Sequence, residues 1–335
     1  MTRLLITGGA GFIGARLART LLARGTLAGR AIEQIVLADQ FAPPEDLTAE
    51  GRVRALTGPL LEQCASFASE RFDGVFHLAS AVSGECELDF DLGMRSNLDS
   101  TRALLDALRA AGNTPRLVFS SSVAVFGPDP GKPLADVVAD DTLPAPQTSY
   151  GAQKLMCEHL ITDMTRKGFI DGRAARLMTV TVRPGKPNAA ASSFFSGVIR
   201  EPLAGVESVC PVDASVSHPV SSPARTIEAL IAVYEATREQ LRGRLALNLP
   251  ALNVTVQRML DALEAVAGPK VRALVKFERD ERIAGIVANW PKGASAARAN
   301  ALGLAGDQSF EDIVRQYIAD CRARPDAHLT LKGLE

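Results

Sequence analysis

Leu4-Leu5-Ile6-Thr7-Gly8-Gly9-Ala10-Gly11-Phe12-Ile13-Gly14 decides the fold. Residues 4–7 are a short apolar run of the kind that forms a buried strand, and Gly8, Gly11 and Gly14 follow it with GxxGxxG spacing. Missing side chains permit a tight turn, close approach of the backbone to a pyrophosphate, and close packing of the next helix on the strand. The spacing predicts that helix over residues 12–23, with Phe12 and Ile13 in its first turn, where N–H groups and the positive end of the dipole face the phosphates. An ordinary glycine turn is the competing reading. It is disfavoured by Asp39, which ends a second apolar run over residues 35–38. A carboxylate there accepts hydrogen bonds from the adenosine ribose and repels a 2′-phosphate, so the expected cofactor is NAD rather than NADP.

Outward from this turn, short apolar runs alternate with helical periodicity. Residues 53–57, 74–77, 116–119 and 178–183 read as the third to sixth strands, with helices over 61–70, over 98–111 and from about 150. The alternation predicts an α/β fold, a Rossmann-type doubly wound parallel sheet covered on both faces. After Gly185 the texture changes. Residues 186–193 read as a loop or helix entry, Pro202 and residues 211–223 as irregular, and 225–241, 256–267 and 310–322 as helices. The expected division is an NAD-binding domain over 1–185, with contributions from about 206–250, and a smaller substrate-binding cap over 186–335.

With 335 residues, 47% of them hydrophobic, 22% charged and a net charge of -1, the chain has a globular composition and no electrostatic footprint for nucleic acid or an anionic membrane. Its five cysteines are dispersed without a CxxC pair, which argues against a disulfide framework or a zinc site and fits a reducing cytoplasm. The four histidines form no metal-ligand pattern.

The second decisive stretch is Tyr150-Gly-Ala-Gln-Lys154. At i and i+4 the phenol and the ammonium lie on one face of a helix. An unperturbed tyrosine titrates near ~10, too high for a base at neutral pH, and a nearby ammonium favours the phenolate. Lys154 is also placed to hold the nicotinamide ribose. Ser122 closes the run Ser120-Ser121-Ser122 at the end of the fifth strand and is placed to hydrogen-bond the substrate oxygen. A lone YxxxK is usually a surface helix; the serine run and glycine turn set this one apart.

Together Thr7 to Gly14, His77-Leu-Ala-Ser80, Asn97, Ser120 to Gly127, Tyr150-xxx-Lys154 and Arg183-Pro184-Gly185 resemble the extended short-chain dehydrogenase/reductase family, the NAD-dependent epimerases and dehydratases. The resemblance implies Ser122, Tyr150 and Lys154 as the catalytic trio. It implies cofactor contacts from Gly8, Gly11, Phe12, Ile13, Gly14, Asp39, Leu60, Leu78, Ala79, Ser80, Asn97, Ser120 and Pro184, besides Tyr150 and Lys154. It also implies a homodimer through the helices near 98–111 and 150–168. The chain departs from the family at Phe126, often tyrosine, and at Gly58-Pro59-Leu60, where an acid often binds adenine and only backbone or Leu60 packing is left.

Residues 184–203 resemble the corresponding stretch of family members that oxidise the 2-hydroxyl of a four-carbon sugar acid. There Arg200 is expected to clamp a carboxylate, and Ser83, Asn188, Ser192 and Ser193 to serve hydroxyls, beside Ser122 and Tyr150. Loop stabilisation is the competing role for each, and pairing with Glu201 the competing role for Arg200. The rival functions are a sugar-nucleotide epimerase, which returns the hydride to its substrate, and a non-catalytic NAD-binding module.

Overall fold

The computed structural model describes residues 1–185 and 190–335. In chain order the first half contains β1 (Thr2–Thr7), α1 (Phe12–Arg24), β2 (Arg30–Asp39), β3 (Val53–Thr57), α2 (Leu60–Phe67), β4 (Gly74–His77), α3 (Ser83–Leu88), α4 (Ser100–Ala111), β5 (Arg116–Ser122), α5 (Ser149–Arg166) and β6 (Asp171–Leu177). These strands align in parallel as β3-β2-β1-β4-β5-β6, with Leu247–Asn248 beyond β6 and the short Thr26–Leu27 strand antiparallel to β2. The strand order reverses between β1 and β4, so ligands are expected at the carboxyl ends of those strands.

Alternation along β1 explains the two covered faces. Leu4 and Ile6 join Leu37, Leu17 and Leu21 on one side, while Leu5 joins Val36, Leu104, Leu108 and Ile161 on the other. A parallel sheet needs both faces dry, and α1 on one side with α2, α4 and α5 on the other provide that cover.

The sixth strand departs from expectation. The strand beside β5 is Asp171–Leu177, not 178–183, and only Thr179–Val180 (β7) of the expected run is a strand. It sits in a separate three-stranded sheet with β8 (Ser217–Ser221) and β9 (Leu252–Thr255). The reason is electrostatic. Asp171-Gly-Arg-Ala-Ala-Arg-Leu looks too polar for a core strand, yet Arg176 is buried against Glu158 and Arg173 against Asp171. Pairing is what lets such charges lie inside.

The remaining helices of eight residues or more are α6 (Ser193–Leu203), α7 (Pro223–Glu235), α8 (Val256–Ala267), α9 (Glu281–Ala288) and α10 (Phe310–Arg322). Expected helices over 256–267 and 310–322 are found at those bounds. Pro202, read as part of an irregular segment, lies instead in the last turn of α6, where it withholds one backbone donor from the helix. Phe195, Val198 and Ile199 of α6 pack with Met259, Leu260, Val314 and Ile318 in a second core.

Candidate active site

The glycine turn is held by backbone contacts that exclude side chains. Gly8 has φ +72, and a Cβ on it would lie 2.8 Å from the Ala79 nitrogen; a Cβ on Gly14 would lie 2.1 Å from the Gly8 carbonyl oxygen. Gly11 caps α1 without a side-chain hydrogen bond, and the first turn, with Phe12 and Ile13, holds no acid. The N–H groups of that turn are left for an anion, the arrangement that holds a dinucleotide pyrophosphate. Asp39 ends β2 beside it, its two carboxylate oxygens accepting the Ala10 N–H at 2.9 Å and the Phe41 N–H at 3.0 Å. Thr7 Oγ1 accepts the N–H groups of Leu78 and Ala79 at 3.2 and 3.3 Å, which fixes those residues against the turn. Leu60 opens α2 after Thr57, the register partner of Asp39, on the same rim. The residues present therefore fit NAD.

Helix α5 carries the expected catalytic pair. Thr148 caps it, accepting the Gly151 N–H at 3.0 Å, and a Cβ on Gly151 would lie 2.2 Å from the Ala124 carbonyl oxygen. That glycine brings the helix onto the turn that follows Ser122. Lys154 is buried; its ammonium donates to the Ser120 backbone carbonyl at 2.8 Å and stands 5.4 Å from the Tyr150 ring centroid. Burial pulls Lys154 down to about 8. Burial pushes the Tyr150 phenol up to about 12, opposed by hydrogen bonds from Ser122 and Ser80 and by the Arg183 charge. The expected acidification by Lys154 is thus not what dominates here: the ammonium lies against the ring, and desolvation wins. Ser122 Oγ also accepts the Ala124 N–H at 3.1 Å.

Two expected cofactor contacts are occupied within the protein. The Asn97 amide is 3% exposed, and Oδ1 accepts the Ala81 N–H at 2.7 Å and the Ser80 hydroxyl at 3.0 Å while Nδ2 donates to Gln153 Oε1 at 2.8 Å. Asn97 therefore shapes the Ser80–Ala81 wall. Ser120 Oγ donates to the His77 carbonyl inside the sheet, and its own carbonyl holds Lys154. His77, bridged by Thr7 and Thr101 hydroxyls, is a neutral structural residue, drawn by burial down to about 3.

Two arginines at the expected substrate segment are engaged differently. Arg200 is buried, with Nη2 paired to Glu201 and Nη1 donating to the Arg183 carbonyl at 2.9 Å. Its fork is committed, so the expected carboxylate clamp is not available there. Arg183 has no carboxylate partner among the described residues; its guanidinium reaches Ser192 Oγ at 3.5 Å and is close enough to Tyr150 to favour the phenolate. Its backbone N–H donates to Ser196 Oγ at 3.0 Å, which anchors it to α6, and Pro184 follows it. Ser193 opens α6 and Ser83 opens α3. Asn188 lies outside the described residues. Sequence reasoning noted Arg183 within a motif and gave it no role; the available signal was a cation directly before Pro184, where the backbone must leave the strand.

Among the described residues no group of three His, Cys, Asp or Glu side chains could hold a metal, and no helix is long and apolar enough to cross a membrane.

Residues 4–216 match the NAD dependent epimerase/dehydratase family. A D-erythronate dehydrogenase from Cupriavidus necator is 49% identical over 322 residues, covering 94% of this chain and 98% of that protein. A second D-erythronate dehydrogenase, from Haemophilus influenzae, is 41% identical over 94% of this chain and 98% of its own length. Among solved structures, a nucleoside-diphosphate-sugar epimerase from Agrobacterium tumefaciens superposes with a TM-score of 0.86 at 42% identity, covering 95% of this chain and 94% of that one. A glycine cradle for a dinucleotide, a Tyr150–Lys154 helix and these full-length likenesses agree: the chain belongs to the NAD-dependent epimerase/dehydratase family and is an NAD-dependent oxidoreductase.

Proposed function

We propose that the protein oxidises the C2 hydroxyl of a four-carbon sugar acid, D-erythronate, to 2-oxo-erythronate. One observation carries the reading: Arg183 is a cation without a carboxylate partner among the described residues, and its charge favours the Tyr150 phenolate. A 2-hydroxy acid presents a carboxylate one bond from its reacting carbon, so a guanidinium beside the base fixes both. Ser122 and Ser80 hydrogen-bond at the phenol oxygen, which places the alcohol proton for transfer to Tyr150. Lys154 keeps that face cationic and has further N–H donors for the nicotinamide ribose. NAD, when bound, supplies the acceptor for the C2 hydride. Ser83, Ser192 and Ser193 are the hydroxyl partners this reading assigns, and Asp39 sets the preference for NAD over NADP.

Two likenesses to D-erythronate dehydrogenases over nearly the whole chain support this substrate. The neighbouring epimerase structure favours the alternative, a sugar-nucleotide epimerase or dehydratase. Four- and five-carbon aldonates with NAD+, followed by NADH absorbance, separate them. Net NADH formation with D-erythronate is expected; interconversion of UDP- or dTDP-sugars without net NADH, and silence on aldonates, would replace the reading.

The same reading divides the chain into an NAD-binding unit over 1–185 and a substrate cap over 186–335. It makes the protein a homodimer through α4 and α5, supported by exposed Met156, at 40%, on α5. Five free, buried cysteines support a reducing, cytoplasmic setting.

A further inference from the structure

The segment between β4 and α4 carries acids at alternate positions, Glu85, Glu87, Asp89 and Asp91, on the rim that holds the active site. Three of the four accept backbone N–H groups. Glu85 takes the Val82 N–H at 2.9 Å, and Asp89 takes the Leu92 N–H at 2.8 Å; both ties are local. Glu87 differs. Its Oε1 accepts the Ser149 N–H at 2.6 Å, across 62 residues, at the first residue of the helix that carries Tyr150. A carboxylate at a helix N-terminus is favoured by the dipole as well as by the hydrogen bond. At its other end the segment is pinned by the Asn97 amide, which holds the Ala81 N–H and the Ser80 hydroxyl. Ser83 lies between these two anchors.

We propose that Glu87 is a positioning residue that straps α3 to the N-terminus of α5 and so fixes the separation between Ser83 and Tyr150, which sets the length of acid the cleft accepts. The assignment rests on the sugar-acid reading for its substrate, and on the 2.6 Å contact for its geometry. Glu87 is exposed, so its removal leaves the core intact, and the effect falls on alignment.

Glu87→Ala and Glu87→Gln test it. Gln keeps an oxygen acceptor for the Ser149 N–H and loses the charge. In Glu87→Ala, KM for the four-carbon acid is expected to rise about tenfold, within the roughly hundredfold that a 1 Å misplacement costs. Preference for four- over six-carbon acids should shrink, and Glu87→Gln should restore most of both. Hydrogen exchange over residues 81–90 and 149–152 of the NAD-saturated enzyme, without substrate, should accelerate in Glu87→Ala alone. Unchanged exchange and unchanged chain-length preference would overturn the strap. Equal impairment in both variants would overturn it in favour of a charge effect, and a monomer by light scattering in Glu87→Ala would assign the effect to assembly instead. If the wild-type protein ignores aldonates, the substrate reading fails, while the exchange comparison still judges the strap.

Discussion

The proposed catalytic rim, built from α1, β5 and α5, and the proposed substrate side, built from residues 178–185 and α6, obey different rules. On the first, steric exclusion decides: Gly14 and Gly151 sit where a Cβ would come within 2.1 and 2.2 Å of carbonyl oxygens. Such positions admit one residue type, and the sequence shows it openly. On the second, charge pairing decides which of two arginines is free to meet a ligand. Arg200 finds Glu201 one residue away, and Arg183 finds no acid among the described residues. Composition and spacing are the same whichever way that pairing falls.

The largest expected effect belongs to the first region. Tyr150→Phe should lower oxidation by about a hundred- to ten-thousand-fold, the usual contribution of a general base, with NAD affinity by equilibrium fluorescence nearly unchanged. Wild-type-like turnover in the folded variant would take the proton transfer away from this helix. Because Lys154 serves the Ser120 carbonyl as well as the site, Lys154→Met should lose both turnover and cofactor affinity. Unchanged affinity would confine it to the phenol.

The next prediction sets Arg200 against its neighbour. Removing one partner of a buried pair typically costs about 3–5 kcal/mol, so Arg200→Met should appear chiefly in thermal or denaturant unfolding. A rise in KM for the acid with unaltered stability would return the clamp to Arg200. Asp39→Ser should narrow the ratio of catalytic efficiencies with NAD and NADP. A constant ratio would place ribose recognition elsewhere.

The smallest effect is a pH dependence of stability. His77 and His218 are held neutral by burial, down to about 3 and about 4, against an ordinary value of 6.5. Their folded values lie below the unfolded one, so the unfolded state binds more protons as pH falls. Stability is full above about 6.5 and declines from there toward 4. His77→Gln should flatten part of that decline in unfolding experiments at pH 5 and 7, and an unchanged slope would remove His77 from it.

The same contrast explains what was legible. Strands β1 to β5 and α1, α5, α8 and α10 follow from apolar runs, glycine spacing and capping residues. Strand β6 was hidden because Arg173 and Arg176 enter the core paired with Asp171 and Glu158, and local polarity then points the wrong way. Helix α6 was hidden by its small residues and by Pro202, whose place in the last turn is visible only once the helix is seen. Asn97 was legible as a site position, but its amide serves the Ser80–Ala81 wall because Gln153 lies opposite it.

Arg183 is proposed to read the substrate carboxylate. The most direct measurement is kcat/KM for D-erythronate and for its uncharged amide, in the wild-type protein and in Arg183→Met. The wild-type protein should favour the acid strongly, and Arg183→Met should lose most of that preference through KM for the acid, with NAD affinity unchanged. An undiminished preference for the acid in Arg183→Met would contradict the account.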